Sequence, residues 1–422
     1  MLATLRQRNF GLLWFSGLIS LAGDWMLSIA LPIYVYTLTG SALATSGMLI
    51  ARITPNLLLG SVAGVFVDRW DRRRTMIAAN LLMALMLLPL LLVGSVEWLW
   101  LVYLVGFVQA TIAQFFHPAE SALLPQLVDE DQLVAANSLN TLNNSLARLI
   151  GPALGGLVAG MWGLPVVILL DSASFLIAGA CIALIRGAPT RAPQAQRPAA
   201  SAAGVWVAVW REWLEGLKLV ARDRTILTVF VILAITALGE GVMSTLFVIF
   251  VNKVLGGAAL ELGWLMSAQA IGGLIGGLLI GAVGGRFSTA RLIGLSAILF
   301  GAIDLAIFNY PRFISGIELG LILFTFVGIP GIGFMTGVHT LLQTSVADYY
   351  RGRIFGALGT SQGLLMLVGT LLAGTLADRL SVVTMLNIQG GGYILAGLLG
   401  LVLLRETGHR VVRSRAKAAD LV

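Results

Sequence analysis

Apolar residues run along this chain in long unbroken blocks, with neither the alternation of a half-buried strand nor the single stripe of a soluble helix. About 20 apolar residues wound as a helix cross the hydrocarbon core of a bilayer. Twelve such blocks are predicted, over residues 10–38, 44–67, 75–95, 98–117, 137–160, 164–185, 226–251, 260–284, 291–310, 315–338, 353–377 and 383–404. The expected fold is all-α: a polytopic membrane protein of twelve transmembrane helices in two pseudo-symmetric six-helix bundles. The first apolar block is too long for a cleavable signal peptide and is read as the first span.

The two halves repeat each other. Gly23-Asp24 in the first span is matched by Gly239-Glu240 in the seventh, 216 residues later. The i, i+4 row Ser20, Asp24, Ser28 returns as Thr236, Glu240, Ser244. Gly64 opens the loop after the second span and Gly281 the loop after the eighth, while Gly151 and Gly369 sit 218 residues apart. Inverted or repeated six-helix units are a transporter architecture, with the site near the bilayer midplane.

Between the halves the pattern changes. Residues 1–185 form the first bundle, 186–224 a linker region, 225–404 the second bundle and 405–422 a basic tail. Residues 186–204 read as a flexible linker. Residues 205–222 read as an amphipathic helix, with Trp206, Val209, Trp210, Trp213, Leu217 and Val220 on one face and Arg211, Glu212, Glu215, Lys218 and Arg222 mostly opposite. Such a helix is expected on the inner membrane surface.

Composition fits lipid as the solvent: 58% hydrophobic and 11% charged residues, mean hydropathy +0.93 and 50 glycines in 422 residues. The net charge of +7 does not point to nucleic acid. Most of the 27 Lys and Arg residues fall in the loops on one side, with Lys253, Arg312 and Arg379 opposite and Arg52 and Arg148 within spans. The positive-inside rule then puts both termini in the cytoplasm. One cysteine, Cys181, and three scattered histidines make a disulfide framework impossible and a metal site unexpected.

The stretch Gly64-Val-Phe-Val-Asp68-Arg69-Trp-Asp71-Arg72-Arg73-Arg74 resembles the loop 2–3 signature of the major facilitator superfamily, departing from it at Asp71, where glycine is usual. The resemblance implies a cytoplasmic latch carried by Gly64, Asp68, Arg69, Arg72 and Arg73. In the second half Gly285 stands where Asp68 sits, so a second latch is degenerate. Gly151-Pro152-Ala-Leu-Gly155-Gly156 resembles the antiporter motif of drug exporters in that superfamily, with Ala147 where a glycine usually begins it. Phe116-His117-Pro118-Ala119, Leu124-Pro125 and Ala136-Asn137-Ser138 are similar to the macrolide-efflux and enterobactin-exporter branch. That likeness implies export of a drug, macrolide or siderophore by exchange for protons, in a bacterial inner membrane, by a monomer.

Ionisable groups within spans are costly and mark transport paths. Asp24 and Glu240 lie near the middle of their spans and are the expected proton-coupling or charge-selecting groups, with Arg52 as counter-charge. Asp171 and Asp304 lie nearer span ends and are expected to be solvated or hydrogen-bonded. Arg148 is a candidate partner for Glu120 or for a lipid headgroup. Trp25, Met26, Tyr34, Gln109, Gln114 and Phe247 join Ser20, Ser28, Thr236 and Ser244 as candidate cavity lining. Gly273, Gly277, Gly281 and Gly285 make one smooth helix face suited to close packing.

The sequence has no phosphate-binding loop of the G-x-x-x-x-G-K-[ST] type and no nucleophile–base constellation. An enzyme is not expected, no cofactor is implied, and an ion gradient is the expected energy source. The expected partners are protons, membrane lipid and an amphipathic or hydrophobic small molecule, with no nucleic acid. A lysophospholipid flippase is the alternative within transport. A non-transporting sensor or scaffold is the alternative outside it.

Overall fold

Gly163 decides the helix count. In the computed structural model, which describes residues 2–67, 70–186, 202–346, 348–377 and 379–404, the helix Leu133–Ala183 runs for 51 residues. At 1.5 Å per residue that is roughly 75 Å, far more than the ~30 Å of a bilayer core. Gly163 breaks it with φ 78° and ψ 177°. This is a backbone region that only glycine adopts without strain. Pro165 sits just after the break, where a helix start tolerates its missing N–H. Among the described residues eleven helical segments are long and apolar enough to cross a membrane, and the one containing Gly163 supplies two crossings, which gives the twelve expected.

We number these spans α1 (Arg8–Thr39), α2 (Ala42–Val67), α3 (Arg72–Leu87), α4 (Leu99–Leu123), α5 (133–162), α6 (164–183), α7 (Arg224–Lys253), α8 (Ala259–Val283), α9 (Thr289–Asn309), α10 (Glu318–Ser345), α11 (Asp348–Leu376) and α12 (Val382–Leu403). Gly40, with φ 63°, closes α1 and returns its N–H to the Tyr36 carbonyl at 2.7 Å. Asp71 caps α3, its Oδ1 accepting the Arg74 backbone N–H at 2.7 Å. The departure from the usual loop signature at Asp71 thus has a local reason.

The chain clusters into two units. The first holds residues 1–207 and 247–267, and the second holds 208–246 and 268–422. Within the first, α1 packs along α5 and α6, α2 along α4, and α3 between α4 and α6. Its cores are apolar, centred on residues such as Ile168, Met48 and Leu87 in one and Phe10, Met76 and Ile182 in the other. Within the second, α9 packs on α12 and α10, and Ile232, Ile293, Phe334 and Tyr393 belong to one core.

The linker helix (Ala202–Arg222) belongs to the second unit from Ala208 onward, and its Val220 and Leu219 join that unit's core. Val220 is 2% exposed beside Ile354 and Leu358. Trp213 Nε1 donates to Ser361 Oγ at 3.3 Å, and Glu215 meets Arg353 at 3.4 Å. A Cβ at Gly216 would stand 2.6 Å from Ala357 Cβ, so the helix rests directly on α11. The apolar face read from the sequence is present, with the Trp210 and Trp213 rings in contact at 5.1 Å between centres, but protein covers only part of it. Trp213 and Val220 face protein, Trp210 is 54% exposed, and Leu214 is exposed beside it. The side chains of Trp206 and Val209 lie outside the described residues.

The glycine row on α8 is corrected. No atom lies within 4 Å of a Cβ built at Gly277, Gly281 or Gly285. The tight packing is on the neighbouring row: Gly272 meets the Thr325 carbonyl and Gly276 meets Ile329 of α10. A four-residue period sets a face but not which neighbour covers it.

Candidate functional site

Asp24 stands midway along α1 and is partly exposed. It lies in the field of the Arg52 guanidinium and, less strongly, of His117. The Arg52 stem crosses α4 at Gly106, whose added Cβ would be 3.1 Å from Arg52 Cγ. Gly23, the residue before Asp24, lets α6 approach: a Cβ there would overlap Asp171 Oδ1 and reach 2.5 Å from Ser174 Oγ. Asp171 is 0% exposed and accepts the Ser174 hydroxyl at 3.3 Å. The expectation of solvation at Asp171 is therefore overturned, whereas the hydrogen bond is present. Glu120 meets His117 at 3.9 Å, one turn away on α4, in place of the expected Arg148.

The C-terminal repeat has the same plan. Glu240 lies midway along α7 and is exposed. Gly239 before it admits α12, with an added Cβ 2.9 Å from Gln389 Cγ. Tyr393 Oη donates to Glu240 Oε1 at 2.5 Å. Asp304 is buried, and Gln389 Nε2 donates to its Oδ2 at 3.0 Å. Sequence reasoning missed Gln389 and Tyr393. The available signal was the i, i+4 spacing of Gln389 and Tyr393 on α12, whose other polar residues, Thr384 and Asn387, lie in its first two turns.

The Gly151–Gly156 motif is a packing surface with two partners. Gly151 faces the Ala22 carbonyl and Trp25 Cβ of α1, and Gly155 faces the Met26 backbone. Gly156 meets the Ala259 carbonyl of α8, and Gly263 of α8 meets the Pro152 carbonyl. Ser267 Oγ donates to the Leu149 carbonyl at 2.7 Å. All of these residues belong to the first unit. In the second unit Gly369 of α11 faces the Leu238 carbonyl and Gly241 of α7. These are the repeat equivalents of Ala22 and Trp25, so the sequence repeat is a repeat of contacts.

Other candidates are placed differently. Asp68 and Arg69 lie outside the described residues, and the surroundings of Gly64 lie outside them too. Arg72 Nη1 donates to the Ala122 carbonyl at 2.9 Å, and Arg73 Nε to that of Ile182 at 3.1 Å, so both hold helix C-terminal ends. Tyr34 donates to the Val93 carbonyl at 2.6 Å and Gln109 to that of Met83 at 2.8 Å, while Met26 is a core residue. Tyr34 and Gln109 thus tie neighbouring segments of the first bundle together, and both are partly exposed. Ser20, Ser28, Thr236, Ser244 and Gln114 donate to carbonyls of their own helices, and Phe247 is buried. Among the described residues no cluster of metal-binding type is present.

Comparison with known proteins agrees with this layout. Macrolide efflux protein A of Streptococcus pyogenes is 28% identical over 89% of this chain and 90% of its own. Multidrug efflux pump Tap of Mycolicibacterium fortuitum is 28% identical over 87% and 88%. A crystal structure of the peptide transporter POT superposes with a TM-score of 0.75 over 96% of this chain and 95% of its own, at 12% identity, a likeness of fold alone. The model of the transmembrane secretion effector family matches residues 1–419. An integral membrane protein with twelve apolar crossings and that match across nearly its whole length, this chain belongs to the transmembrane secretion effector family of major facilitator transporters.

Proposed function

We propose that this chain exports hydrophobic or amphipathic small molecules by alternating access, protons entering as the substrate leaves. The observation that carries this reading is Asp24: a partly exposed carboxylate midway along an apolar span, in the field of Arg52. Glu240 repeats its position in the second half. A charge there attracts a cationic or amphipathic ligand, and its neutralisation by a proton releases it. The named relatives are efflux pumps for macrolides and for several drugs, which favours export of that chemical class. The Lys and Arg bias favours both termini in the cytoplasm, bacterial relatives favour an inner membrane, and each six-plus-six chain is taken as a working monomer.

The test is transport by the purified protein in proteoliposomes, with and without an imposed pH gradient, using ethidium and a macrolide as probes. Gradient-driven movement of either probe, lost in Asp24→Asn while the variant remains folded, is the expected result. Gradient-driven movement that survives in Asp24→Asn overturns the role of Asp24. No movement in the wild type overturns proton-coupled drug export, and labelled lysophospholipid in the same vesicles then tests the flippase reading.

A further inference from the structure

The second unit holds a buried acid that the proposed export cycle does not use. Asp304 on α9 is 2% exposed, and its one hydrogen-bond donor among the described residues is the neutral amide of Gln389 on α12. Gln389 is itself 4% exposed, and its Oε1 has no hydrogen-bond partner. The carbonyl of an amide and the N–H syn to it face the same way, so one amide can bond both oxygens of a single carboxyl group. The amide oxygen is satisfied when the carboxyl carries a proton and donates it, closing a two-bond acid–amide pair. A buried acceptor left without a donor is costly, and so is a buried carboxylate with one neutral donor. The arrangement around Asp304 is built for the protonated acid.

One turn further along α12, Tyr393 makes the corresponding contact to the exposed acid. Its hydroxyl donates to Glu240, and its ring is held by Phe300 of α9 at 4.4 Å and Phe334 of α10 at 6.1 Å between ring centres. A hydrogen bond to an ionised carboxylate is stronger than one to a neutral acid. Protonation of Glu240 therefore slackens the Tyr393 contact, and Gln389 rides on the same helix turn. Asp304 also lies in the field of Glu240.

α11, which packs on α7 at Gly369, carries Asp348, Tyr349, Tyr350, Arg351 and Arg353 in its first two turns. Tyr393 is the one titratable side chain on α12, Asp304 is accompanied on α9 by Arg291 in its first turn, and α7 carries Arg224 and Lys253 at its two ends. On α10 Glu318 is the first residue and His339 lies toward the far end.

We propose that Asp304 is a second protonation site, and that Gln389 and Tyr393 couple its charge state to that of Glu240. The proposal rests on the reading that protons drive this transporter. Gln389 and Tyr393 are positioning residues, since neither gains nor loses a proton in the cycle.

The test is infrared difference spectroscopy of the purified full-length protein titrated in lipid nanodiscs. The wild type is expected to show a protonated-carboxyl C=O band that Asp304→Asn removes. Its midpoint is expected to shift in Glu240→Gln and in Tyr393→Phe. A band that persists in Asp304→Asn, or a midpoint indifferent to both other variants, overturns the proposal. Gln389→Leu keeps the acid and removes its amide, so it serves if Asp304→Asn does not fold. A change in band frequency is expected there, and an unchanged band overturns the pairing. Gradient-driven ethidium transport is measured on the same preparations. Failure of the wild type in that assay defeats the proton-driven reading itself, whereas a normal wild type with an unaltered pH profile in Asp304→Asn defeats only the role of Asp304.

Discussion

Gly155 of α5 lies against the backbone of Met26 of α1, so closely that an added Cβ would stand 2.5 Å from Met26 Cα and 2.7 Å from its carbonyl oxygen. Neither atom can move without shifting a helix. Gly155→Ala is expected to destabilise the protein by about 1–3 kcal/mol, the usual cost of overpacking. Gly277→Ala is expected to be neutral or to stabilise by up to about 1 kcal/mol, since nothing lies within 4 Å of its Cβ and alanine is the better helix former. Thermal unfolding of both variants in detergent checks the contrast. Equal melting temperatures would refute it.

Arg52 acts through charge in this account, while its stem packs on Gly106. Arg52→Lys is expected to retain gradient-driven ethidium transport and Arg52→Leu to lose it, with both proteins folded. Vesicle assays on the two variants decide the point, and transport by Arg52→Leu at the wild-type rate would reduce Arg52 to a packing residue.

The linker helix is held by shape more than by charge. The Glu215–Arg353 pair is about 40% exposed on each side, and such pairs contribute roughly 0.2–1 kcal/mol. Glu215→Gln should therefore leave the helix seated, whereas Gly216→Leu should lift it from Ala357. Hydrogen exchange over residues 213–222 reads the difference. Fast exchange in both variants would show that the ion pair carries the contact.

Arg73 closes the carbonyl end of α6, donating to both Ile182 and Ala183. Hydrogen bonds from charged donors contribute about 1.5–3 kcal/mol where they are shielded, and less at an exposed end. Arg73→Ala is expected to lower stability by about 1 kcal/mol, measured by detergent unfolding. An unchanged midpoint would leave Arg73 free for a latch alone.

Much of this was legible in the sequence because lipid imposes one rule on every span. Twelve apolar blocks and the Gly-Asp and Gly-Glu repeats were readable, and the structure turns Gly23 and Gly239 into the places where α6 and α12 come close. What was not legible depends on neighbours. The glycines of α8 repeat at four residues on two adjacent rows, and nothing in the spacing says that Gly272 and Gly276 meet α10. Trp213 and Trp210 share a helical face in the sequence, yet the first meets Ser361 and the second is exposed. Asp304 near a span end suggested water, whereas its burial comes from α12 lying across it. Tyr34 and Gln109 read as polar groups within spans, and nothing in their spacing says which backbone carbonyls of neighbouring segments they meet.

The break at Gly163 joins α5 to α6 without a connecting loop. That end of the first bundle therefore offers no slack segment to lengthen or cut. An epitope tag inserted there would have to unwind a crossing to be displayed, and a protease would find no strand of chain to grip. Antibodies or tags meant to report on this face belong instead at the turn around Gly316, which lies between α9 and α10 with φ 109° and already stands outside any helix.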